Sequence, residues 1–302
     1  MTPEPGAQND GGPTRQRAGG EDRRDRSRPE PPAPLAAPVA DSHCHLDIAD
    51  GPGGQWLPVE DAVARAAAVG VPRIVQIGCD LPGARWAVRA AEEHPALVAG
   101  VALHPNEVPV LAAAGELDAA LVEIDRLAGS SPRVRAVGET GLDHFRTGEE
   151  GWKVQEDGFR AHIALAKKHG KALAIHDRDA HADVLRVLAE EGAPERVLMH
   201  CFSGDAEMAR ECVRRGYYLS FAGTVTFKNA APLREALAEV PLGRILVETD
   251  APYLAPTPHR GRPNASYLVP LTVRCMAEVK EVSEEAMCVA VAEATEAVFG
   301  SW

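Results

Sequence analysis

Two histidines stand one residue apart in Asp41-Ser42-His43-Cys44-His45, at the end of a short apolar run. On an extended strand, residues i and i+2 share a face. Both imidazoles therefore point one way, about 7 Å apart along the chain, and can converge on one cation. A single histidine at a strand end is more often a hydrogen-bonded core residue, and two at this spacing shift the balance toward ligation. Four further runs end in a similar way. Gly138-Glu139-Thr140-Gly141-Leu142-Asp143 supplies Glu139, whose carboxylate has two oxygens and can bridge two cations as one imidazole nitrogen cannot. The bland reading is a pair with Lys or Arg, but a metal is the better partner for an ionised carboxylate in such a place. His176, in Ile175-His176-Asp177-Arg178-Asp179, and His200, in Met199-His200-Cys201-Phe202-Ser203-Gly204, would complete a second metal position with Glu139. In Val247-Glu248-Thr249-Asp250-Ala251-Pro252, alternation sends Glu248 and Asp250 to one side. Asp250, nearer the end, is read as ligand and general base, and Glu248 as a buried support deeper in.

Of the 11 histidines, His94, His162, His169 and His181 fall on helices or at their ends, where a solvated side chain is the default. His104 and His144 lie just beyond apolar runs and are candidate substrate contacts. Ser203 joins them as a candidate. Arg178, Arg260 and Arg262 are the arginines placed to grip a phosphate, a planar fork being suited to that geometry.

Eight segments must position these groups: 39–45, 73–80, 97–105, 134–143, 172–179, 196–204, 217–227 and 245–252. Each is nearly continuously apolar, as parallel strands covered on both faces are. Stretches of helical periodicity alternate with them, among them 61–70, 117–129, 154–170, 181–192, 205–216 and 232–240. Strand then helix, eight times, predicts an α/β fold of the (β/α)8 TIM barrel type, with chemistry at the C-terminal strand ends. Setting aside the first 40 of 302 residues leaves 262, close to the roughly 250 of one such barrel, so a single domain over 39–302 is expected.

Residues 1–38 are rich in Pro, Gly and Arg and carry no apolar period, which predicts a disordered tail. Six acids and six arginines within the first 40 residues cancel, so the net charge of −12 belongs to the barrel. That argues against coating nucleic acid by bulk electrostatics, but not against a nuclease whose divalent cations hold phosphate locally. No run is long enough to cross a bilayer and no leader pattern is present, so a cytoplasmic protein without a membrane association is expected. Six cysteines without a CxxC pair fit reduced thiols, and alternation points Cys44 and Cys201 away from the neighbouring ligand candidates, toward packing. No obligate protein partner is evident.

His-x-His, Gly-Glu-Thr-Gly-Leu-Asp, Ile-His-x-Arg-Asp-Ala, His-Cys-Phe-Ser-Gly and Glu-Thr-Asp-Ala-Pro-Tyr-Leu, in this order, resemble the TatD family of metal-dependent hydrolases and deoxyribonucleases. The resemblance covers roughly residues 39–300. It implies that His43, His45, Glu139 and Asp250 hold one divalent metal ion and that Glu139, His176 and His200 hold a second, with Mg, Mn or Zn as the metals. It also implies a DNA or other phosphodiester substrate, cleaved from the 3′ end. The family's usual Arg-Gly-Lys-x-Asn-Glu-Pro is here Arg260-Gly261-Arg262-Pro263-Asn264-Ala265-Ser266, His144 replaces a common aromatic, and His162 stands where Gln is frequent. The alternative chemistry is an amidohydrolase or lactonase acting on a small carbonyl compound. Many such barrels bridge their metals with a carboxylated lysine, and here the fourth run offers Glu139 and no lysine. A scaffold protein that has lost catalysis would not need all six ligands.

Overall fold

A computed structural model of the chain describes residues 12–17, 27–50 and 56–302. Eight parallel strands form one sheet in sequence order: β1 (Ala40–Cys44), β2 (Arg73–Gly78), β3 (Leu97–Val101), β4 (Val134–Asp143), β5 (Ala172–Arg178), β6 (Val197–Met199), β7 (Tyr218–Phe221) and β8 (Ile245–Val247). The ring closes just past β8. Asp250 N–H donates to His43 O at 3.0 Å and His45 N–H to Ala251 O at 2.8 Å, around a parallel bridge between Cys44 and Ala251. Buried Asp41 reinforces the seam, accepting from Thr249 N at 2.9 Å and from its hydroxyl at 2.5 Å. The fold is the TIM barrel expected.

Ten helices are described: α1 (Val59–Ala68), α2 (Leu81–Glu93), α3 (Glu107–Ala114), α4 (Leu117–Ala128), α5 (Glu149–His169), α6 (His181–Glu191), α7 (Ala206–Arg214), α8 (Ala231–Glu239), α9 (Val269–Val279) and α10 (Glu284–Phe299). They cover the outside of the barrel, which is why β2 and β3 are buried on both faces and carry residues such as Ile74, Val75, Ile77 and Val98. Each such side chain contributes roughly 1.5–3 kcal/mol by leaving water. Asp80 caps α2 by accepting from Gly83 N at 2.7 Å, and Asp205 caps α7 by accepting from Met208 N at 2.9 Å, fixing where chain leaves sheet for helix. The turn from β2 into α2 is so close that a Cβ on Gly78 would lie 2.4 Å from the Ala84 backbone.

The last three strands are shorter than the apolar runs that predict them. Beyond Met199, Phe221 and Val247 the chain leaves the ladder to form the mouth of the barrel, where His200 and Asp250 lie. Asp250 adopts a left-handed backbone conformation, φ 54°, a local cost of order 1 kcal/mol of the kind that recurs at functional sites.

The expected disordered tail spans 1–38, only part of which is described. Residues 1–11 and 18–26 lie outside the described residues, but 12–17 and 27–38 lie against the barrel. Tyr267 donates to Pro29 O at 2.8 Å, Arg274 to Ala33 O at 2.9 Å and Pro34 O at 3.1 Å, and Leu35 N–H to Val69 O at 3.1 Å. Tyr267 and Arg274 are barrel side chains reaching carbonyls of the segment, and Leu35 pairs backbone to backbone, so an apolar period within the segment is not required. Its prolines also lower the entropy lost on ordering.

Candidate metal centre

Glu139 is the middle of the site. It projects from β4 into the barrel mouth, 4% exposed, and its two oxygens face different partners. Oε2 lies 3.4 Å from His43 Nε2 and 3.8 Å from His45 Nε2, both from the end of β1. Oε1 lies 2.6 Å from His176 Nδ1, 3.3 Å from His200 Nε2 and 3.4 Å from His104 Nε2, from the ends of β5, β6 and β3. Asp250 Oδ1 is 3.3 Å from His45 Nε2. The six residues His43, His45, Glu139, His176, His200 and Asp250 are thus brought together, and so is His104. Strand alternation does the positioning: the rings of His43 and His45 lie 5.0 Å apart on one side, and Cys44 is buried away from them.

A further layer fixes the ring orientations. His45 Nδ1 is 3.0 Å from Ile77 O, leaving Nε2 toward the carboxylates. His176 Nε2 is 3.1 Å from Asp143 Oδ2. Glu248, fully buried as expected of a support, has Oε1 2.8 Å from His200 Nδ1, close enough for an ion pair though off the line of a hydrogen bond. Such partners set which nitrogen faces the centre. Gly141 admits the close approach of β4 and β5 here: it has φ 139°, and a Cβ would lie 2.1 Å from His176 O.

Charge is arranged around the same axis. Burial opposes ionisation of Glu139, but His200, His104 and His176 hold its carboxyl well below the usual carboxylate range. Burial likewise opposes the charge on Asp250, and the hydrogen bond with His45 overrides it. His176 is pushed up to about 9 by Asp143 and Glu139 against the effect of burial. His43 goes the other way, lowered by burial and by neighbouring His200. Both its ring nitrogens are buried without a hydrogen-bond partner among the described residues. An orphaned neutral imidazole beside carboxylates is a donor set complete except for a cation. The clusters His43/His45/Asp250 and His104/Glu139/His176 each place their ligand atoms within 4.8 Å of one another. Imidazole with carboxylate fits Zn2+ or Mn2+, and the carboxylates also suit Mg2+.

The family model described as TatD related DNase matches residues 40–300. The chain belongs to the TatD family. It is 46% identical over 269 residues to an uncharacterized metal-dependent hydrolase TatD of Mycobacterium tuberculosis, covering 87% of this chain and 99% of that protein. It is 39% identical over 248 residues to an uncharacterized metal-dependent hydrolase YcfH of Escherichia coli, covering 82% of this chain and 90% of the relative. Among solved structures it resembles YJJV, a TatD homolog from Escherichia coli, with a TM-score of 0.77 and 26% identity over 87% of this chain and 98% of that one. This TatD-family chain is therefore a metal-dependent hydrolase.

The other expected site residues are distributed along the rim. His144 stacks on Trp152 at 4.0 Å between ring centroids, Arg178 lies over Phe145 at 4.0 Å, Ser203 Oγ donates to Asp177 O at 3.1 Å, and Arg260 lies over Phe227 at 4.5 Å. Arg262 is turned to the N-terminal segment, donating to Ser27 O at 3.1 Å and Ser27 Oγ at 2.7 Å. Sequence reasoning gave no role to Cys79, which donates to Glu139 Oε2 at 3.4 Å. It also gave no role to Asp143. Asp143 ends the Gly-Glu-Thr-Gly-Leu-Asp motif four residues beyond Glu139, on the same face by strict alternation, and its Oδ2 lies 3.1 Å from His176 Nε2.

Proposed function

We propose that the chain hydrolyses phosphodiester bonds as a 3′ to 5′ exodeoxyribonuclease acting on single-stranded or frayed DNA ends. The observation that carries this reading is the division of Glu139, one oxygen toward His43 and His45 and the other toward His176 and His200. A carboxylate so divided suits two divalent ions, the first held by His43, His45, Glu139 and Asp250 and the second by Glu139, His176 and His200. Bound there, Mg2+, Mn2+ or Zn2+ supplies Lewis acidity toward a phosphate oxygen and lowers the pKa of water.

The chain's own groups do the rest. Asp250, held ionised on its left-handed turn, orients the attacking water and accepts its proton. Glu139 fixes the spacing of the two positions. Arg178 and Arg260 at the rim offer planar donors to phosphate oxygens, and His104, His144 and Ser203 line the approach. Residues 39–302 act as the single catalytic unit, in the cytoplasm, with DNA as the partner. Among the described residues no helix is long and apolar enough to cross a membrane.

The test is digestion of 3′-labelled and 5′-labelled single-stranded oligonucleotides with added Mg2+ or Mn2+, with and without chelator. Stepwise shortening from the 3′ end that chelator abolishes is the expected result. Intact oligonucleotides alongside hydrolysis of a lactone or cyclic amide would replace this reading with the amidohydrolase one.

A further inference from the structure

Residues 12–17 lie ahead of residue 40, where the family match begins, yet they cross the mouth of the barrel. Arg15–Gln16 pairs in parallel with Ile48–Ala49, and Thr14 Oγ1 donates to Asp47 Oδ2 at 2.7 Å, two residues beyond His45. At its far end Arg17 Nη1 donates to Pro252 O at 3.1 Å, two residues beyond Asp250, and its guanidinium lies 5.2 Å above the Tyr253 ring. Tyr253 in turn lies 6.2 Å from the His45 ring. The segment is therefore pinned on both sides of the His45 and Asp250 position.

The two arginines differ in what they do there. Arg17 is engaged with a carbonyl, a ring and Asp50 Oδ1 at 3.5 Å, and anchors the strap. Among the described residues Arg15 makes one ion pair, with Asp80 Oδ2 at 3.6 Å, beyond hydrogen-bond length, and one third of its side chain is open to solvent. Asp80 follows Cys79, whose thiol donates to Glu139. Burial works against charge on Arg15, but Cys79, Asp80, Tyr253 and Asp47 keep it firmly protonated. A planar cation with donors that no described residue fills thus stands beside the ligand cluster of a barrel whose net charge is −12 and which otherwise repels a polyanion.

We propose that Arg15, carried on this N-terminal strap, binds the nucleic-acid phosphate next to the scissile one and sets the affinity for polynucleotide over small diesters. This rests on the phosphodiesterase reading. Arg15 acts on binding, and the proton transfers of the reaction stay with Asp250.

The experiment compares the full-length metal-loaded protein with Arg15→Gln, Arg15→Lys and, as a charge-matched control on α4, Arg126→Gln. KM and kcat are measured on a single-stranded oligonucleotide at several salt concentrations and on bis(p-nitrophenyl) phosphate, a diester with no neighbouring phosphate. In Arg15→Gln, KM for the oligonucleotide should rise about 5- to 10-fold with kcat altered less than about twofold, and the salt dependence should flatten by about one counterion. The ratio of kcat/KM for oligonucleotide over small diester should fall, Arg15→Lys should restore part of it, and Arg126→Gln should match the parent. An unchanged ratio, with the parent active on oligonucleotide, overturns the strap while leaving the phosphodiesterase intact. Faster turnover in Arg15→Gln also overturns it, because the segment would then be a plug. A parent that cleaves neither substrate removes both readings.

Discussion

His162 on α5 offers a perturbation whose magnitude follows from the structure. Its ring is fully buried, with Nε2 accepting from Leu103 N at 3.0 Å and Nδ1 2.7 Å from Gly158 O. Since an amide N–H can only donate, Nε2 must be bare and Nδ1 must carry the proton, so the residue is neutral by construction. The bond holds the chain just before His104. Burial lowers the pKa of His162 from 6.5 to about 4, against a smaller opposing effect of the Gly158 carbonyl. The unfolded chain takes up a proton near 6.5 and the folded chain only near 4, so acid favours unfolding. The stabilisation is complete above pH 6.5 and is lost as pH falls toward 4. At about 1.4 kcal/mol per pH unit the full loss is about 3 kcal/mol, or roughly 6–12 °C in Tm for a domain of this size. Glutamine can keep the Leu103 hydrogen bond without titrating. Urea unfolding of the parent and His162→Gln, both in chelator, should give stabilities within about 1 kcal/mol of each other at pH 7.5, with His162→Gln the more stable by about 2 kcal/mol at pH 4.5. Parallel pH profiles would refute the reasoning.

Glu139→Ala should lower metal content at both positions, whereas His200→Ala should mainly empty one, as counted by native mass spectrometry; two metals per chain retained in Glu139→Ala would contradict the bridging role. Asp250→Asn should keep its circular dichroism and lose about 10²- to 10⁴-fold in kcat, because an amide cannot accept the proton from water. Deletion of residues 1–38 should lower Tm by roughly 5 °C or more, since it removes the bonds donated by Tyr267 and Arg274, the bond accepted by Val69 O and the packing of Leu35, and a calorimetric scan that shows no change would place the segment off the barrel.

Much of the barrel is legible because each parallel strand is buried on both faces and announces itself as an apolar run, and because each run ends on the group it presents. His43, His45, Glu139, His176, His200 and Asp250 are read this way with no knowledge of the fold beyond strand period and order. The exact strand ends are less legible, since Met199 and Val247 are apolar up to the point where the chain leaves the ladder. Asp143 escapes although alternation puts it on the face of Glu139, because nothing within the motif shows that its partner is the ring of His176 on the next strand. Cys79 escapes because its partner Glu139 is 60 residues away and a thiol in an apolar run reads as packing. The N-terminal segment escapes for a related reason. Its order depends on Tyr267 and Arg274 more than 200 residues downstream, and composition within the segment carries no trace of them.

The most direct test of the central claim is an anomalous difference map from crystals of the protein soaked in Mn2+. The account predicts two peaks about 3.5–4 Å apart, one on each side of the Glu139 carboxylate. The first should be in contact with His43, His45 and Asp250, and the second with His176 and His200. A single peak, or two peaks neither of which touches Glu139, would contradict it.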